Sequence, residues 1–131
     1  MAKARLLAVC LAAVAQQAQA DWTRVARDNE VYSAYADRAT IRREGALSRM
    51  LGMYDFPRGD FTPAGRHLYS TIVEREYDCG ARKVRLLRYA DHAAHGGEGD
   101  IVDASNEASG WEDVLEDSLD EAYLKIACEA I

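Results

Sequence analysis

The sequence predicts an α+β domain, with a single antiparallel sheet of about five or six strands packed with a C-terminal helix and held by one disulfide. Three observations support this fold class. Polar and apolar residues alternate over residues 69–78, as they do in a strand with one buried face. Apolar residues recur with a helical period after Ser118, and two cysteines, Cys79 and Cys128, lie at the ends of these two elements.

The first 20 residues are predicted to be a cleaved signal peptide. Lys3 and Arg5 precede an apolar segment at residues 6–15, and the small residues Ala18 and Ala20 suit signal peptidase. The apolar segment is too short to span a bilayer. Cys10 is a poor site for lipid attachment because the bulky Val9 precedes it, so we expect an exported, unlipidated domain at residues 21–131.

Three strands are predicted in the N-terminal half of the domain. Residues 22–26 and 30–36 form the first two, with a turn at Asp28 and Asn29. Residues 37–40 are predicted to be a turn or a single helical turn, and residues 47–54 form the third strand. Both prolines of the chain lie within residues 56–65, which are therefore predicted to be a loop.

The central pair of strands has the clearest pattern. Tyr69, Thr71, Val73 and Tyr77 fall on one face of residues 69–78, and mostly polar residues fall on the other. A short break at residues 80–81 then predicts a hairpin with residues 84–90. A loop at 91–99 and a short strand at 100–104 follow.

The C-terminal segment is predicted to be a helix over residues 119–129. Apolar residues lie on one stripe, and Ser118 and Glu121 have the spacing of a capping box. In that motif each side chain satisfies a backbone N–H of the other residue. Acidic residues in the first turn and Lys125 in the last turn complement the helix dipole.

Once Cys10 is removed, the two remaining cysteines allow one internal pairing, Cys79–Cys128. An oxidising compartment favours this disulfide over two separate buried thiols. A loop of about 50 residues closed in this way stabilises a domain by roughly 4 kcal/mol through the entropy of the unfolded chain. The bond would hold the terminal helix against the sheet.

The charge of the mature domain argues against nucleic acid as a partner. Without Lys3 and Arg5, 14 basic residues remain against 22 acidic ones, a formal charge of −8. The mean field of such a domain repels phosphate, so we expect no binding to nucleic acid or anionic lipid.

Basic and aromatic residues in the first half of the domain are the candidate binding residues. The predicted set is Arg38, Arg42, Arg43, Arg49, Tyr32 and Tyr35. A second basic group consists of Arg82, Lys83, Arg85 and Arg88. If neighbouring strands align the two groups, they form a cationic surface suited to an acidic partner such as a sulfated glycan. The alternative is that these charges only protect sheet edges from aggregation.

The sequence offers no catalytic constellation. Serines lack a neighbouring base, and no phosphate-binding glycine loop is present, so we expect neither an enzyme nor a cofactor. His92 and His95, with acidic neighbours, have metal-ligand residue types. The glycines that follow argue against a helical chelate, so we expect a polar loop tip and no metal.

Several fragments together resemble the surface-adhesin protein E-like family of small exported bacterial proteins. They are residues 35–45, Ser70 with residues 77–79, residues 111–114, Ser118 and Cys128. The resemblance implies the same sheet, helix and disulfide, and a noncatalytic protein that binds host extracellular-matrix or serum proteins. A homodimer is a further option. The alternative is a soluble periplasmic protein with a structural or stress-related role. Because the lipid-attachment signal is poor, the expected location is the periplasm rather than the cell surface.

Overall fold

The computed structural model describes residues 20–26 and 29–129 and confirms the predicted fold class. It contains an antiparallel sheet, a C-terminal helix and the Cys79–Cys128 disulfide. Residues 1–19 of the predicted signal peptide, which include Cys10, and Asp28 of the predicted first turn lie outside the described residues.

The sheet is a meander in which each of the first six strands pairs with the next one in the chain. Its strands are β1 (Trp22–Arg24), β2 (Ser33–Glu44), β3 (Leu47–Phe61), β4 (His67–Asp78), β5 (Lys83–His92), β6 (Ile101–Ser105) and β7 (Glu112–Asp113). The order is β1-β2-β3-β4-β5-β6, and β7 pairs with the start of β5. The sequence did not predict β7, because two exposed acidic residues carry no strand pattern.

The predicted turn at residues 37–40 is wrong as a chain break, because β2 continues through it. Residues 38–41 instead form a bulge opposite Met50 of β3. Asp37 Oδ1 accepts a hydrogen bond from the Ala39 N–H (3.1 Å), and the Thr40 hydroxyl donates to the Asp37 carbonyl (2.6 Å). Local side-chain bonds thus produce turn-like chemistry inside a strand.

The predicted loops at 56–65 and 91–99 are also shorter in the structure. β3 continues to Phe61, which pairs with His67 of β4, so only residues 62–66 form the turn. β5 continues to His92, and a 3₁₀ turn (His95–Gly97) follows it. Pro57 and Gly59 are accommodated within β3 because they lie in a bulge at residues 56–59, where the pairing with β4 is interrupted.

The helix α1 (Leu119–Glu129) has the predicted bounds, and half of its predicted capping box is present. The Glu121 N–H donates to Ser118 Oγ (3.1 Å). The Glu121 carboxylate accepts from the Asp117 N–H (3.4 Å) and not from that of Ser118. Asp117 adopts a positive φ of 58°, which places its N–H and not that of Ser118 beside the carboxylate.

The helix packs on one face of the sheet, which we call the helix face. Tyr123 and Ala127 are almost completely buried there against Ala34 and Ala36 of β2. The close approach depends on Gly52, since a Cβ at this position would lie 3.1 Å from the Tyr123 ring. The Tyr123 hydroxyl donates to the Tyr35 carbonyl (2.9 Å).

The disulfide fixes the far end of the helix. Cys79 follows β4, Cys128 lies in the last turn of α1, and their Cα atoms are 5.7 Å apart. Noncovalent bonds support the same end, because the Ser48 hydroxyl donates to the Ala127 carbonyl (2.7 Å).

Val73 and Tyr77 of β4 are buried on the helix face, as predicted.

The opposite face of the sheet, which we call the open face, is partly covered. Ser70, predicted on the polar face, is completely buried beneath the segment that follows β5. Its hydroxyl donates to the Ala94 carbonyl (2.6 Å) and accepts from the Gly97 N–H (2.8 Å).

Candidate binding surface

The structure divides the six predicted binding residues between different surfaces. Arg42 and Arg49 are direct cross-strand partners in β2 and β3. They lie on the open face, because Ser48, the neighbour of Arg49, bonds to the helix on the other face. Tyr35 shares the open face but pairs with Met53, four residues along β3 from Arg49.

Arg43 and Tyr32 lie on the helix side. Arg43 pairs with Ser48, and its Nη1 donates to the Cys128 carbonyl (2.9 Å). Tyr32 packs edge-on against Tyr54, with ring centroids 5.2 Å apart. These two side chains therefore support the attachment of the helix.

Arg38 is exposed in the β2 bulge. It belongs to neither the Arg42–Arg49 pair nor the contacts beneath the helix. The six residues therefore do not form one continuous patch.

A row of charges crosses the open face over four strands. The register pairs Arg42 with Arg49, Arg49 with Glu76, and Glu76 with Arg85. Glu76 is only 7% exposed, and its carboxylate accepts from Nη2 of Arg85 (2.6 Å) while Arg49 Nε lies 3.9 Å away. The guanidinium groups of Arg49 and Arg85 thus share one carboxylate, and Arg42 lies beside Arg49 in register. We call Arg42, Arg49, Glu76 and Arg85 the arginine row.

Arg42 differs from the other two arginines of the row in its hydrogen-bond partners. Its guanidinium donates to the backbone carbonyls of Ala39 (3.3 Å) and Ile41 (3.0 Å), which orient it without neutralising it. No carboxylate within the described residues forms an ion pair with it. An oriented, exposed cation of this kind is suited to recognition of an external anion.

Arg85, at the other end of the row, is covered by an aromatic ring. Its guanidinium carbon lies 4.7 Å from the ring centroid of Trp111, which is 38% exposed. Cation–π stacking of this geometry restricts the guanidinium. The sequence did not place Glu76 or Trp111 in the site. Glu76 could have been recognised as part of the site only from its position opposite basic residues on both neighbouring strands. That position is known only once the strand register is known.

The other members of the second basic group are neutralised. Each pairs with a carboxylate: Arg82 with Glu121, Lys83 with Asp113 (3.0 Å) and Arg88 with Glu74 (3.4 Å). The condition for one cationic surface, alignment of the two basic groups by neighbouring strands, is therefore met only at Arg85. The partners of Lys83 and Arg88 lie on adjacent strands and that of Arg82 lies on the helix, so both sheet pairing and helix packing remove surplus charge.

The phenol groups beneath the helix are not suited to proton transfer. Burial raises the pKa of both Tyr77 and Tyr123 well above the usual value. Both therefore remain protonated at neutral pH, and the Tyr123 hydroxyl donates to the Tyr35 carbonyl. Arg75 donates from Nη1 to the Tyr54 hydroxyl (2.8 Å), so this polar group is satisfied as part of the core.

The two histidines considered as metal ligands have separate partners. His95 Nδ1 lies 3.1 Å from Asp55 Oδ2, and His92 Nδ1 lies 3.4 Å from the Gly99 carbonyl. Among the residues that the structure describes, no group of three or more His, Cys, Asp or Glu side chains is arranged to hold a metal ion. The same residues contain no helix long and apolar enough to cross a membrane.

The sequence of the domain matches a known family of proteins. The model of the family described as surface-adhesin protein E matches residues 22–129. The chain belongs to the surface-adhesin protein E family. A search of curated protein sequences gave no match.

Solved structures show the same fold at low identity. Crystal form II of Haemophilus influenzae protein E matches with a TM-score of 0.67 and 14% identity, over 82% of this chain and 87% of that chain. The structure of protein E from non-typeable Haemophilus influenzae matches with a TM-score of 0.64 and 14% identity, over 82% and 75%. Membership of the family confirms the resemblance predicted from the sequence and classes the chain as a surface adhesin-like protein.

Proposed function

We propose that this protein is a noncatalytic, exported adhesin that binds a host extracellular-matrix or serum protein through the arginine row. The observation that carries the proposal is the exposed Arg42 guanidinium, which is oriented by backbone carbonyls and has no carboxylate partner within the described residues. Membership of the adhesin family supports a binding role. The anchored neighbours Arg49 and Arg85 provide a rigid base for this surface.

The charge pattern favours a protein partner over a polyanionic glycan. The row next to the arginine row contains Glu74 and Arg88, which pair with each other. Acidic and basic side chains thus alternate over the open face. A protein surface with mixed charges complements this pattern, whereas a uniformly sulfated chain meets Glu74 as well as the arginines.

Charge reversal at two adjacent residues tests the proposal. Purified residues 21–131 are measured by surface plasmon resonance against an array of matrix and serum glycoproteins, with heparin as the polyanion. We expect Arg42→Glu to weaken binding three- to tenfold, mainly through a slower association rate. Arg43→Glu is the matched control, since it changes the net charge equally on the other face.

The two variants must also be compared by thermal unfolding. Arg43 bonds to the Cys128 carbonyl, so its reversal lowers stability, and a double reversal at Arg42 and Arg43 cannot isolate binding. Equal loss of binding in both single variants would show that the partner does not bind specifically through the arginine row. Binding to heparin alone would point to an acidic glycan, and binding to nothing on the array would favour the periplasmic role.

Export is tested by intact mass and whole-cell protease digestion. We propose that the mature chain begins at Asp21 and carries one disulfide, so its mass should be that of residues 21–131 less two hydrogens. Digestion on intact cells is expected for an adhesin. Protection from protease would favour the periplasm, and a lipid-sized mass increment on Cys10 would show that the signal is processed differently.

A further inference from the structure

The segment Arg58-Gly59-Asp60 lies in a part of β3 that projects beyond the rest of the sheet. β2 pairs with β3 only as far as Asp55. Beyond Asp55, β3 still pairs with β4, where Asp60 lies opposite Leu68. The segment is therefore carried on a two-stranded ribbon, a few residues before the turn that joins β3 to β4.

Both charged side chains of this segment are exposed. Arg58 forms no ion pair or hydrogen bond with the described part of the chain, and it is not covered by an aromatic ring. Asp60 Oδ1 accepts a bond from the adjacent Phe61 N–H (2.8 Å). That single local bond orients the carboxylate and leaves its other oxygen available to a ligand.

Gly59 fixes the backbone between the two charges. Residues 56–59 form a bulge opposite Tyr69, and Gly59 has a φ of +71°. A Cβ there would lie 3.0 Å from the Leu68 carbonyl and 3.1 Å from the Tyr69 ring. Only glycine fits this conformation and this close approach, so the spacing of Arg58 and Asp60 depends on it.

A row of four rings supports the ribbon. Phe61 stacks on His67 (4.7 Å between ring centroids), His67 contacts Tyr69 (4.8 Å), and Tyr69 contacts His95 (4.8 Å). The Asp55 carboxylate holds the end of the row, since it lies 3.1 Å from His95 Nδ1. It also accepts from the Gly96 N–H (2.8 Å). These contacts restrict the ribbon before any ligand binds, which lowers the entropy lost on binding.

We propose that Arg58-Gly59-Asp60 is a second binding site, for a receptor of the integrin class. The chemistry is that of a guanidinium entering an acidic pocket and a carboxylate oxygen coordinating a divalent cation held by the receptor. The inference rests on the proposed function, because it assumes that the protein reaches the host. It concerns a different surface, since the arginine row lies near the opposite end of β3.

The test uses immobilised residues 21–131 and the soluble ectodomain of an Arg-Gly-Asp-binding integrin in Mn²⁺. Asp60→Glu keeps the charge but lengthens the side chain by one methylene, so cation coordination should fail. We expect at least a tenfold loss of binding in this variant, complete loss of wild-type binding in EDTA, and competition by a linear Arg-Gly-Asp peptide but not by its Arg-Gly-Glu analogue. Asp21→Glu is the matched control and should bind as the wild type does.

Two results would overturn this inference. One is absence of wild-type binding to the integrin, and the other is binding that survives Asp60→Glu or EDTA. Arg42→Glu separates the two proposals, since it should weaken binding to the matrix or serum protein and leave integrin binding unchanged. Loss of both activities in Asp60→Glu with an altered circular dichroism spectrum would trace the effect to the fold, and Arg58→Gln then provides the test of the site.

Discussion

Breaking the Cys79–Cys128 bond should lower the stability of the domain more than any single noncovalent change. The two cysteines are 49 residues apart in the sequence. Closing a loop of that size reduces the entropy of the unfolded chain, which corresponds to about 4 kcal/mol at 25 °C. For a domain of this size, that loss lowers the melting temperature by ~15 °C or more.

The assay is urea unfolding of the Cys79→Ser/Cys128→Ser double variant, followed by circular dichroism and compared with the oxidised wild type. The helix should remain docked in the absence of urea, because the Ser48 hydroxyl still donates to Ala127 and Tyr123 remains buried. We therefore expect a lower midpoint with native secondary structure in buffer. The slope with urea should also rise, since an uncrosslinked unfolded chain exposes more surface.

Reduced wild-type protein is the control, because it breaks the same bond without substitution. It should unfold at the same urea concentration as the double variant. A difference of less than about 1 kcal/mol between the oxidised and reduced proteins would refute the reasoning from loop entropy. If the reduced protein or the double variant keeps its strand signal in buffer but loses its helical signal, the disulfide bond, and not the packing, holds the helix in place.

Three further changes have predictable effects on stability. Gly52→Ala should lower the free energy of unfolding by about 1–3 kcal/mol, because the new methyl group would lie 3.1 Å from the Tyr123 ring. Thermal unfolding measures the loss of stability, and an unchanged melting temperature would contradict the prediction. Ser118→Ala should cost about 1 kcal/mol by removing the acceptor of an N-cap bond, and restoration by Asp at the same position is the control. Burial raises the pKa of Asp91, which lies opposite Asp103, so its ionised form is disfavoured in the fold. Asp91→Asn should therefore stabilise the domain at pH 7, with a gain that shrinks as the pH falls through the raised pKa; a gain independent of pH would rule out this cause.

Local patterns were sufficient to predict most of the secondary structure. The helix bounds follow from an apolar stripe and an N-cap, both of which depend on residues close together in the chain. The same is true of the β4–β5 hairpin, where alternation and a short break define both strands. Predictions based on breakers were wrong where a bulge accommodates the breaker inside a longer strand, as at Pro57 within β3 and after Asp37 in β2.

The candidate binding surface was predictable only in part. The sequence identified Arg42 and Arg49 as members of a basic segment, but it did not distinguish them from Arg43 as candidate binding residues. Successive residues of a strand point to opposite faces, so the segment is divided between the open face and the helix contact. Glu76 and Arg85 join the arginine row through cross-strand register, which involves residues far apart in the chain.

The sequence by itself determined the fold class, the helix and the pairing of Cys79 with Cys128, because periodicity and cysteine count are properties of the chain alone. Only the tertiary structure decided which charges are free to bind. Arg88 and Arg42 look alike in the sequence, yet one faces a carboxylate on the neighbouring strand and the other does not. An ion pair depends on what lies opposite in space, and the register that sets this is the sum of all the strand contacts.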